Sequence, residues 1–223
     1  MNFRHEWKHP INYADLLAVR QRLRAVAGPD SHAPEGKYFV RSLYFDTPSD
    51  TALREKLDGV NWREKFRIRY YNRDPSLIRL EKKSKRNSLC RKESAALSQA
   101  EAQAAADGVL DWMPDCGRPL VRELYRKMTC QLLRPKTIVD YTREAFVYAP
   151  GNVRVTLDYD IRTGLGCTDF LNSRCITVPA RDAPVILEVK WDEFLPSVIQ
   201  DAVQLNNRRA SAFSKYAACR VYG

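Results

Sequence analysis

The sequence predicts an α+β protein built on a closed antiparallel β-barrel, with helices packed against its outside. Strand-like runs outnumber helical ones, and most neighbouring strands have connections short enough for antiparallel pairing. Five of the strands have one charged face and one apolar face. The chain has 223 residues and a hydrophobic content of 44%, which suffices for a core, so we expect one domain over residues 1–223.

Four stretches show helical periodicity. They are INYADLLAVRQRLRAVAG, SQAEAQAAADG, PLVRELYRKMTCQLL and Leu195–Asn206. Asn12 and Ser98 stand at predicted N-caps, and Glu101 completes a capping box with Ser98. The third stretch has an apolar stripe that ends at Leu132, and the fourth tolerates Pro196 in its first turn.

Seven runs have the composition of β-strands. They are Phe3–His9, Val40–Asp46, Arg63–Asn72, Leu77–Lys83, Thr137–Tyr148, Val153–Ile161 and Pro184–Trp191. In the third run Lys65, Arg67 and Arg69 share one parity, whereas Phe66 and Ile68 share the other. Because successive side chains of a strand point to opposite faces, this strand has one wholly cationic face.

Four further strands show the same division. Their charged faces carry Arg4, Glu6 and Lys8; Arg79, Glu81 and Lys83; Arg154, Thr156, Asp158 and Asp160; and Glu188 and Lys190. An ordinary amphipathic sheet, with its charged face in water, explains any one of these strands. Five of them, dense in Arg and Lys, favour a barrel whose lumen collects the charged faces around an anion, because like charges two residues apart repel.

The charge balance indicates the same kind of partner. The chain has 37 Lys and Arg against 27 Asp and Glu, a formal net charge of +10. A long row of Arg forks and Lys point charges suits a triphosphate or polyphosphate. The fewer carboxylates suit Mg²⁺ or Mn²⁺, which prefer oxygen ligands, rather than zinc.

The cysteines and the N-terminal residues bear on the compartment. The six cysteines show no CxxC spacing, and MNFRHEWKHP contains no apolar signal-peptide region. We therefore expect reduced thiols and a cytoplasmic protein. No apolar run approaches the ~20 residues of a membrane span, so a role in transport across a membrane would need a membrane-protein partner in trans.

Seven motifs follow one another along the chain. They are Glu6 with Lys8 in the first strand, RIRYY, LEKKSK, PKTIVDYTREAF, VRVTLDYDI, LEVKW and FSKY. In this order they resemble the VTC domain, the polyphosphate polymerase domain within the triphosphate tunnel metalloenzymes (the CYTH-like superfamily), and specifically its stand-alone bacterial type. The resemblance runs from about Arg4 to Tyr216, and YTREAF and FSKY favour the VTC branch.

The resemblance implies a tunnel in which the γ-phosphate of ATP is transferred to polyphosphate with Mn²⁺ or Mg²⁺. By the matching motifs, the resemblance assigns catalytic roles to six cations. They are Arg67, Arg69, Lys83, Arg143, Arg154 and Lys215. Substrate-binding cations would be Lys8, Lys190 and, in LCRKES, Arg91 or Lys92. Glu188 matches the metal-ligand glutamate of the family, and Glu6 and Glu81 are further candidate ligands.

Two departures leave the reaction open. Glu6-Trp7-Lys8 replaces the ExExK of many superfamily hydrolases, and Ala212 stands where a polymerase is expected to carry a second Lys. Polyphosphate synthesis is the expected activity, with triphosphate or polyphosphate hydrolysis and a non-catalytic polyphosphate sensor as alternatives. We expect no nucleic-acid partner, because aromatic residues are not interleaved with the cationic faces as base-stacking platforms would require.

Overall fold

The computed structural model describes residues 4–31, 33, 35–86, 89–180, 184–206 and 208–220. Its strands are β1 His5–Ile11, β2 Gly28–Pro29, β3 Lys37–Asp46, β4 Arg63–Tyr71, β5 Asp74–Arg86, β6 Leu89–Leu97, β7 Arg134–Tyr148, β8 Val153–Thr163, β9 Val178–Pro179 and β10 Val185–Trp191. Its helices are α1 Tyr13–Val26, α2 Thr51–Leu57, α3 Gln99–Asp107, α4 Pro119–Cys130, α5 Ser197–Val203 and α6 Lys215–Cys219. The predicted strand residue Phe3 lies outside the described residues.

The strands form one sheet in the order β1-β10-β8-β7-β3-β4-β5-β6, with β2 beside β7 and β9 beside β8. The defined registers are antiparallel, which confirms the predicted α+β class. The predicted closure is wrong: within the described residues β1 and β6 end the order and do not pair, so the sheet is open. Alternating faces show which side of a strand is apolar, whereas closure depends on strand tilt and stagger, which a local pattern does not encode.

Internal contacts divide the chain into two units. The first comprises Met1–Phe39, Tyr141–Ile161 and Arg181–Phe213, and the second comprises Val40–Asp140, Arg162–Ala180 and Ser214–Gly223. Each unit has its own buried apolar cluster. Strands β3, β7 and β8 contribute residues to both units.

In the first unit, α1 covers the apolar faces of β8 and β10. Asn12 caps the helix as predicted, because its side chain accepts a hydrogen bond from the backbone N–H of Asp15 at 2.8 Å. Leu16 and Val19 of α1 are buried in one cluster with Val155 of β8 and the apolar residues of β10. Burying this face leaves the charged residues of both strands on the other side of the sheet. The fourth predicted helix is shorter than expected, since α5 spans Ser197–Val203 and Pro196 is its N-cap.

In the second unit, α3 and α4 cover the apolar faces of β4 and β5. Phe66 and Ile68 of β4 are buried with Leu124 and Met128 of α4, so the apolar parity found in the sequence is the core-facing one. The capping box of α3 is confirmed. The predicted stripe is wrong at Leu132, which follows the end of α4, has a positive φ of 55° and is exposed.

Helices α2 and α6 and strand β6 were not predicted. The two helices have seven and five residues, too few to show a 3.6-residue stripe, and the β6 sequence LCRKESAAL lacks apolar alternation. The start of α2 depends on Asp46, whose carboxylate accepts hydrogen bonds from the backbone N–H groups of Ala52 and Leu53 at 2.8 and 3.1 Å.

The six cysteines are free. Within the described part of the chain, no helix has both the length and the apolar character needed to cross a bilayer.

Candidate functional site

Cations of β4, β5 and β6 stand beside one another in the second unit. The register pairs Lys65 with Lys83 and Lys83 with Lys92, and two rows further along the same face it pairs Arg69 with Arg79. Directly opposed side chains of antiparallel strands share a face at Cβ distances of about 5 Å, so like charges at these positions destabilise the sheet. A bound anion would offset this repulsion.

Glu81 lies within this face and is only 2% exposed. Its Oε2 accepts hydrogen bonds from Nε and Nη2 of Arg67 at 2.9 and 2.7 Å and lies 3.5 Å from Nε of Arg69. Its Oε1 lies 2.6 Å from Nζ of Lys92. Burial alone would raise the pKa of Glu81, but Arg67, Arg69 and Lys92 outweigh it and hold the pKa well below its ordinary value. One buried carboxylate thus orients three predicted phosphate-binding cations.

Tyr44 is a member of this face that the sequence analysis missed. Its hydroxyl accepts a hydrogen bond from Nη1 of Arg67 at 2.7 Å, and its ring stacks on that of Tyr216 with centroids 5.0 Å apart. Burial alone would raise the pKa of Tyr44, but Arg67, Arg69 and Lys215 lower it, so the phenol lies within electrostatic range of all three. Tyr44 is 3% exposed and therefore supports Arg67 rather than offering a stacking surface. Leu43 and Phe45 are core residues, so strand alternation places Tyr44 on the opposite face. This alternation was the signal by which the sequence could have identified Tyr44.

The first unit has a charged grid on β1, β10 and β8. One row of the register contains Glu6, Lys190 and Arg154, and the next contains Lys8, Glu188 and Thr156. Glu188 is 6% exposed. Its two carboxylate oxygens face Nζ of Lys190 at 2.5 Å and Nζ of Lys8 at 3.5 Å, and Lys8 also pairs with Glu6.

The two arginines of the first unit that were predicted to bind phosphate are also held by carboxylates. Arg143 donates to buried Asp158 through Nε and Nη2 at 2.6 and 2.7 Å. Burial alone would lower the pKa of Arg143, but Asp158 raises it above its ordinary value. Arg154 Nη2 lies 2.6 Å from a carboxylate oxygen of Asp30 and donates to the hydroxyl of Tyr38 at 3.0 Å. Asp30 and Tyr38 were not predicted, and no pattern in the sequence singles out Asp30.

The predicted site residues therefore fall into two sets, one in each unit. The first-unit set is Glu6, Lys8, Arg143, Arg154, Glu188 and Lys190. The second-unit set is Arg67, Arg69, Glu81, Lys83, Lys92 and Lys215. Arg91 is placed elsewhere: it alternates with Lys92 along β6, its side chain is 55% exposed, and its Nη2 lies 3.3 Å from Glu93.

The carboxylates of the first-unit set could hold a divalent cation. Glu6 and Glu188 are diagonal neighbours on one face of β1 and β10. Nowhere in the described ranges do three His, Cys, Asp or Glu residues converge as a ready-made metal site. Two carboxylates fit a hard cation such as Mg²⁺ or Mn²⁺ that takes its other ligands from phosphate and water. Glu81 fits less well, because three cations already engage its oxygens.

The second unit also contains a cavity of ≈ 890 Å³ beside the first residues of β4. Its charged lining is largely paired internally, because Lys82 contacts Glu64 and Glu123, and Lys127 contacts Glu64. Glu64 alternates with Lys65 and Arg67 along β4, so the paired cluster belongs to the other face of the strand, although Lys65 also lines the cavity.

The chain matches the family model of the VTC domain over residues 3–222, which includes both units. The chain belongs to the VTC domain family. This confirms the resemblance found in the sequence, and the family match covers every site residue predicted for this VTC domain. No curated protein matches the chain.

Solved structures of similar fold include three proteins with low sequence identity to this VTC domain. One from Bacillus halodurans, described as a candidate adenylate cyclase, gives a TM-score of 0.52 at 14% identity over 85% of this chain and 80% of its own. The PH1012 protein from Pyrococcus horikoshii gives 0.52 at 14% identity, over 96% and 97%. A candidate adenylyl cyclase from Hippeastrum, described as having a dominant triphosphatase activity, gives 0.55 at 13% identity, over 99% and 95%. At these identities the likeness shows the fold alone.

The role of Glu81 can be tested by Glu81→Gln. This change keeps the shape of the side chain but leaves Arg67, Arg69 and Lys92 without their buried carboxylate, so we expect the free energy of unfolding to fall by about 3 kcal/mol. Urea denaturation in EDTA measures this. Glu93→Gln is the matched control, because Glu93 forms more exposed ion pairs and its loss should cost under about 1 kcal/mol. Equal stability of Glu81→Gln and wild type would show that Glu81 does not hold the three cations.

Proposed function

We propose that this VTC domain is a divalent-metal-dependent phosphotransferase that binds ATP and polyphosphate through its predicted phosphate-binding cations and synthesises polyphosphate from ATP. The observation that carries the proposal is the row of opposed lysines Lys65, Lys83 and Lys92, which shares its face with the opposed pair Arg69 and Arg79. Directly opposed like charges repel, so the row concentrates positive charge on one face of the sheet. A linear polyanion offsets the repulsion at several positions at once, as a single small anion does not.

The cations differ in what they offer a phosphate chain. Arg67 and Arg143 present planar forks, which in this structure are oriented by Glu81 and Asp158. Lysines supply point charges that follow a ligand more freely. We therefore assign orientation of the phosphates to the arginines and charge neutralisation along the chain to the lysines. The lysines concerned are Lys8, Lys65, Lys83, Lys92, Lys190 and Lys215.

Glu188, with Glu6 beside it, would hold the divalent cation. Such an ion, when bound, neutralises charge on phosphate oxygens. The residues of the chain do the remaining work of phosphoryl transfer, which consists mainly of positioning and charge stabilisation. In the proposed synthesis a terminal oxygen of polyphosphate forms a bond to the γ-phosphorus of ATP. The bond from that phosphorus to the bridging β–γ oxygen breaks, and ADP leaves with the electron pair.

Hydrolysis is the second candidate function. In that reaction the oxygen of water forms a bond to the terminal phosphorus, and the bond from that phosphorus to the bridging oxygen breaks. The shortened phosphate chain leaves with the electron pair, and phosphate and a proton are released. Ala212 favours this alternative, since it stands where a polymerase is expected to carry a second Lys, and its side chain cannot bind an incoming phosphate. The triphosphatase activity described for the Hippeastrum protein is consistent with hydrolysis on a similar fold.

Incubation of the pure protein with ATP and Mn²⁺ tests the proposal, with products separated on a gel stained for polyphosphate. We expect a ladder of chains, formed together with ADP. Free phosphate without a ladder would replace synthesis by hydrolysis. No turnover, with inorganic tripolyphosphate still raising the melting temperature, would leave a polyphosphate sensor. Absence of both turnover and tripolyphosphate binding would overturn the assignment, and a preference for an oligonucleotide over tripolyphosphate would do the same.

A further inference from the structure

Thr156 is a buried residue of β8 to which the roles proposed above give no part. It is 3% exposed, and its hydroxyl oxygen has no hydrogen-bond partner among the residues that the structure describes. A buried hydroxyl without a partner is unfavourable, and valine of nearly the same shape would fill the position without that cost. The position of this hydroxyl therefore needs an explanation other than packing.

The sheet register places Thr156 directly opposite Glu188, which in turn is opposite Lys8. Directly opposed residues of antiparallel strands share a face, so the hydroxyl of Thr156 and the carboxylate of Glu188 lie on the same side of the sheet within reach of one another. Along β8, Thr156 is flanked on the same face by Arg154 and Asp158. Thr156 is thus the neutral member of the charged grid of the first unit.

The carboxylate of Glu188 is engaged by two cations in this structure. Lys190 lies 2.5 Å from one oxygen and Lys8 lies 3.5 Å from the other. Both lysine side chains are partly exposed, whereas Glu188 is buried. A phosphate chain competes with Glu188 for these lysines, because both are anions and a lysine ammonium turns easily on its flexible stem. When the lysines move, the buried carboxylate loses these two cationic partners, which is costly.

We propose that Thr156 is a positioning residue for Glu188. When Lys8 and Lys190 turn towards bound polyphosphate, the hydroxyl of Thr156 donates a hydrogen bond to the carboxylate of Glu188 and fixes its orientation. A neutral donor suits this place, because it satisfies one oxygen without the positive charge that would repel a divalent cation. The inference rests on the proposed function, since it requires an anion that draws the lysines away.

Binding of inorganic tripolyphosphate, measured by calorimetry with and without Mn²⁺, tests this role. Thr156→Val should weaken binding in Mn²⁺ by about tenfold, the effect expected for one hydrogen bond to a charged group. Thr156→Ser should retain the affinity of the wild type. The melting temperature of Thr156→Val without ligand should not fall, because the hydroxyl has no partner there. The matched control is Thr142→Val, a partly exposed threonine that alternates with Arg143 along β7.

A double-mutant cycle with Glu188→Gln separates this role from others. If Thr156 acts through Glu188, Thr156→Val has no further effect on binding in the Glu188→Gln background. A persistent tenfold loss there would mean that Thr156 contacts the ligand directly and would overturn the inference. A lower melting temperature of Thr156→Val without ligand would also overturn it, by showing a structural role. If the wild type binds tripolyphosphate and Thr156→Val binds it with the same affinity, this inference alone is overturned. If the wild type does not bind tripolyphosphate, the proposed function is overturned as well.

Discussion

Replacing Arg67 with alanine is expected to lower turnover of ATP by about 100-fold or more. Arg67 offers a guanidinium fork that Glu81 and Tyr44 orient, and each charge-assisted hydrogen bond lost to a phosphate costs about 1.5–3 kcal/mol. Two such bonds account for the expected loss. Arg69→Ala should act in the same direction, because Arg69 is buried beside the same carboxylate. Steady-state release of ADP measures the effect.

Two further measurements show whether this loss is local. Arg122→Ala is the matched control: Arg122 is an exposed residue of α4 in the same unit, and its replacement should leave turnover unchanged. Circular dichroism should show that Arg67→Ala is folded at the assay temperature. Arg67→Lys should recover only part of the activity, since lysine keeps the charge and loses the fork. Near wild-type turnover in folded Arg67→Ala would contradict the proposed role of the second-unit set.

Glu188→Ala is expected to abolish the dependence of turnover on Mn²⁺. Glu188 is the buried carboxylate of the first-unit set, and no cluster of three metal-ligating side chains occurs in the part of the chain that the structure describes. Loss of one carboxylate from a site with so few protein ligands should therefore remove the protein's share of metal binding. The rate that remains in Glu188→Ala should be the same in Mn²⁺ and in EDTA.

Binding of Mn²⁺ in the presence of tripolyphosphate, followed by electron paramagnetic resonance, provides a readout independent of turnover. Glu193→Ala is the matched control, because Glu193 is exposed and lies just beyond β10 in the same unit. Mn²⁺ stimulation in Glu188→Ala equal to that of the wild type would show that Glu188 only pairs with its two lysines. The metal ligands would then have to be sought elsewhere.

The predicted phosphate-binding cations are held by carboxylates of the chain itself. Glu81 holds three cations in the second unit, and Asp158 and Asp30 hold Arg143 and Arg154 in the first. Such pairs keep the guanidinium groups oriented in the absence of a ligand. They also make anion binding an exchange of one negative partner for another. We therefore expect affinity for tripolyphosphate to be lower, and its orientation better defined, than the count of cations alone implies.

Much of the fold followed from local patterns. The division of β4 into a cationic parity and an apolar parity was predicted, and the structure buries Phe66 and Ile68 in the core of the second unit. The N-cap Asn12 of α1 and the capping box of α3 were predicted from the residues at the helix starts. Helices α2 and α6 were missed because they are too short to show a period.

By itself, the sequence determined which strands have a charged face, that the charge is mainly positive, and which motifs place the chain in the VTC domain family. These features depend on residues two apart or on the order of motifs, so they can be recognised in the sequence without a structure. Only the tertiary structure decided that Lys65, Lys83 and Lys92 form one row, that Asp30 pairs with Arg154, and that the sheet is open. The physical reason is that strand register, ion-pair partners and closure of the sheet depend on how distant segments align. Alternation within a strand determines which face a side chain takes, but not which residue lies opposite it.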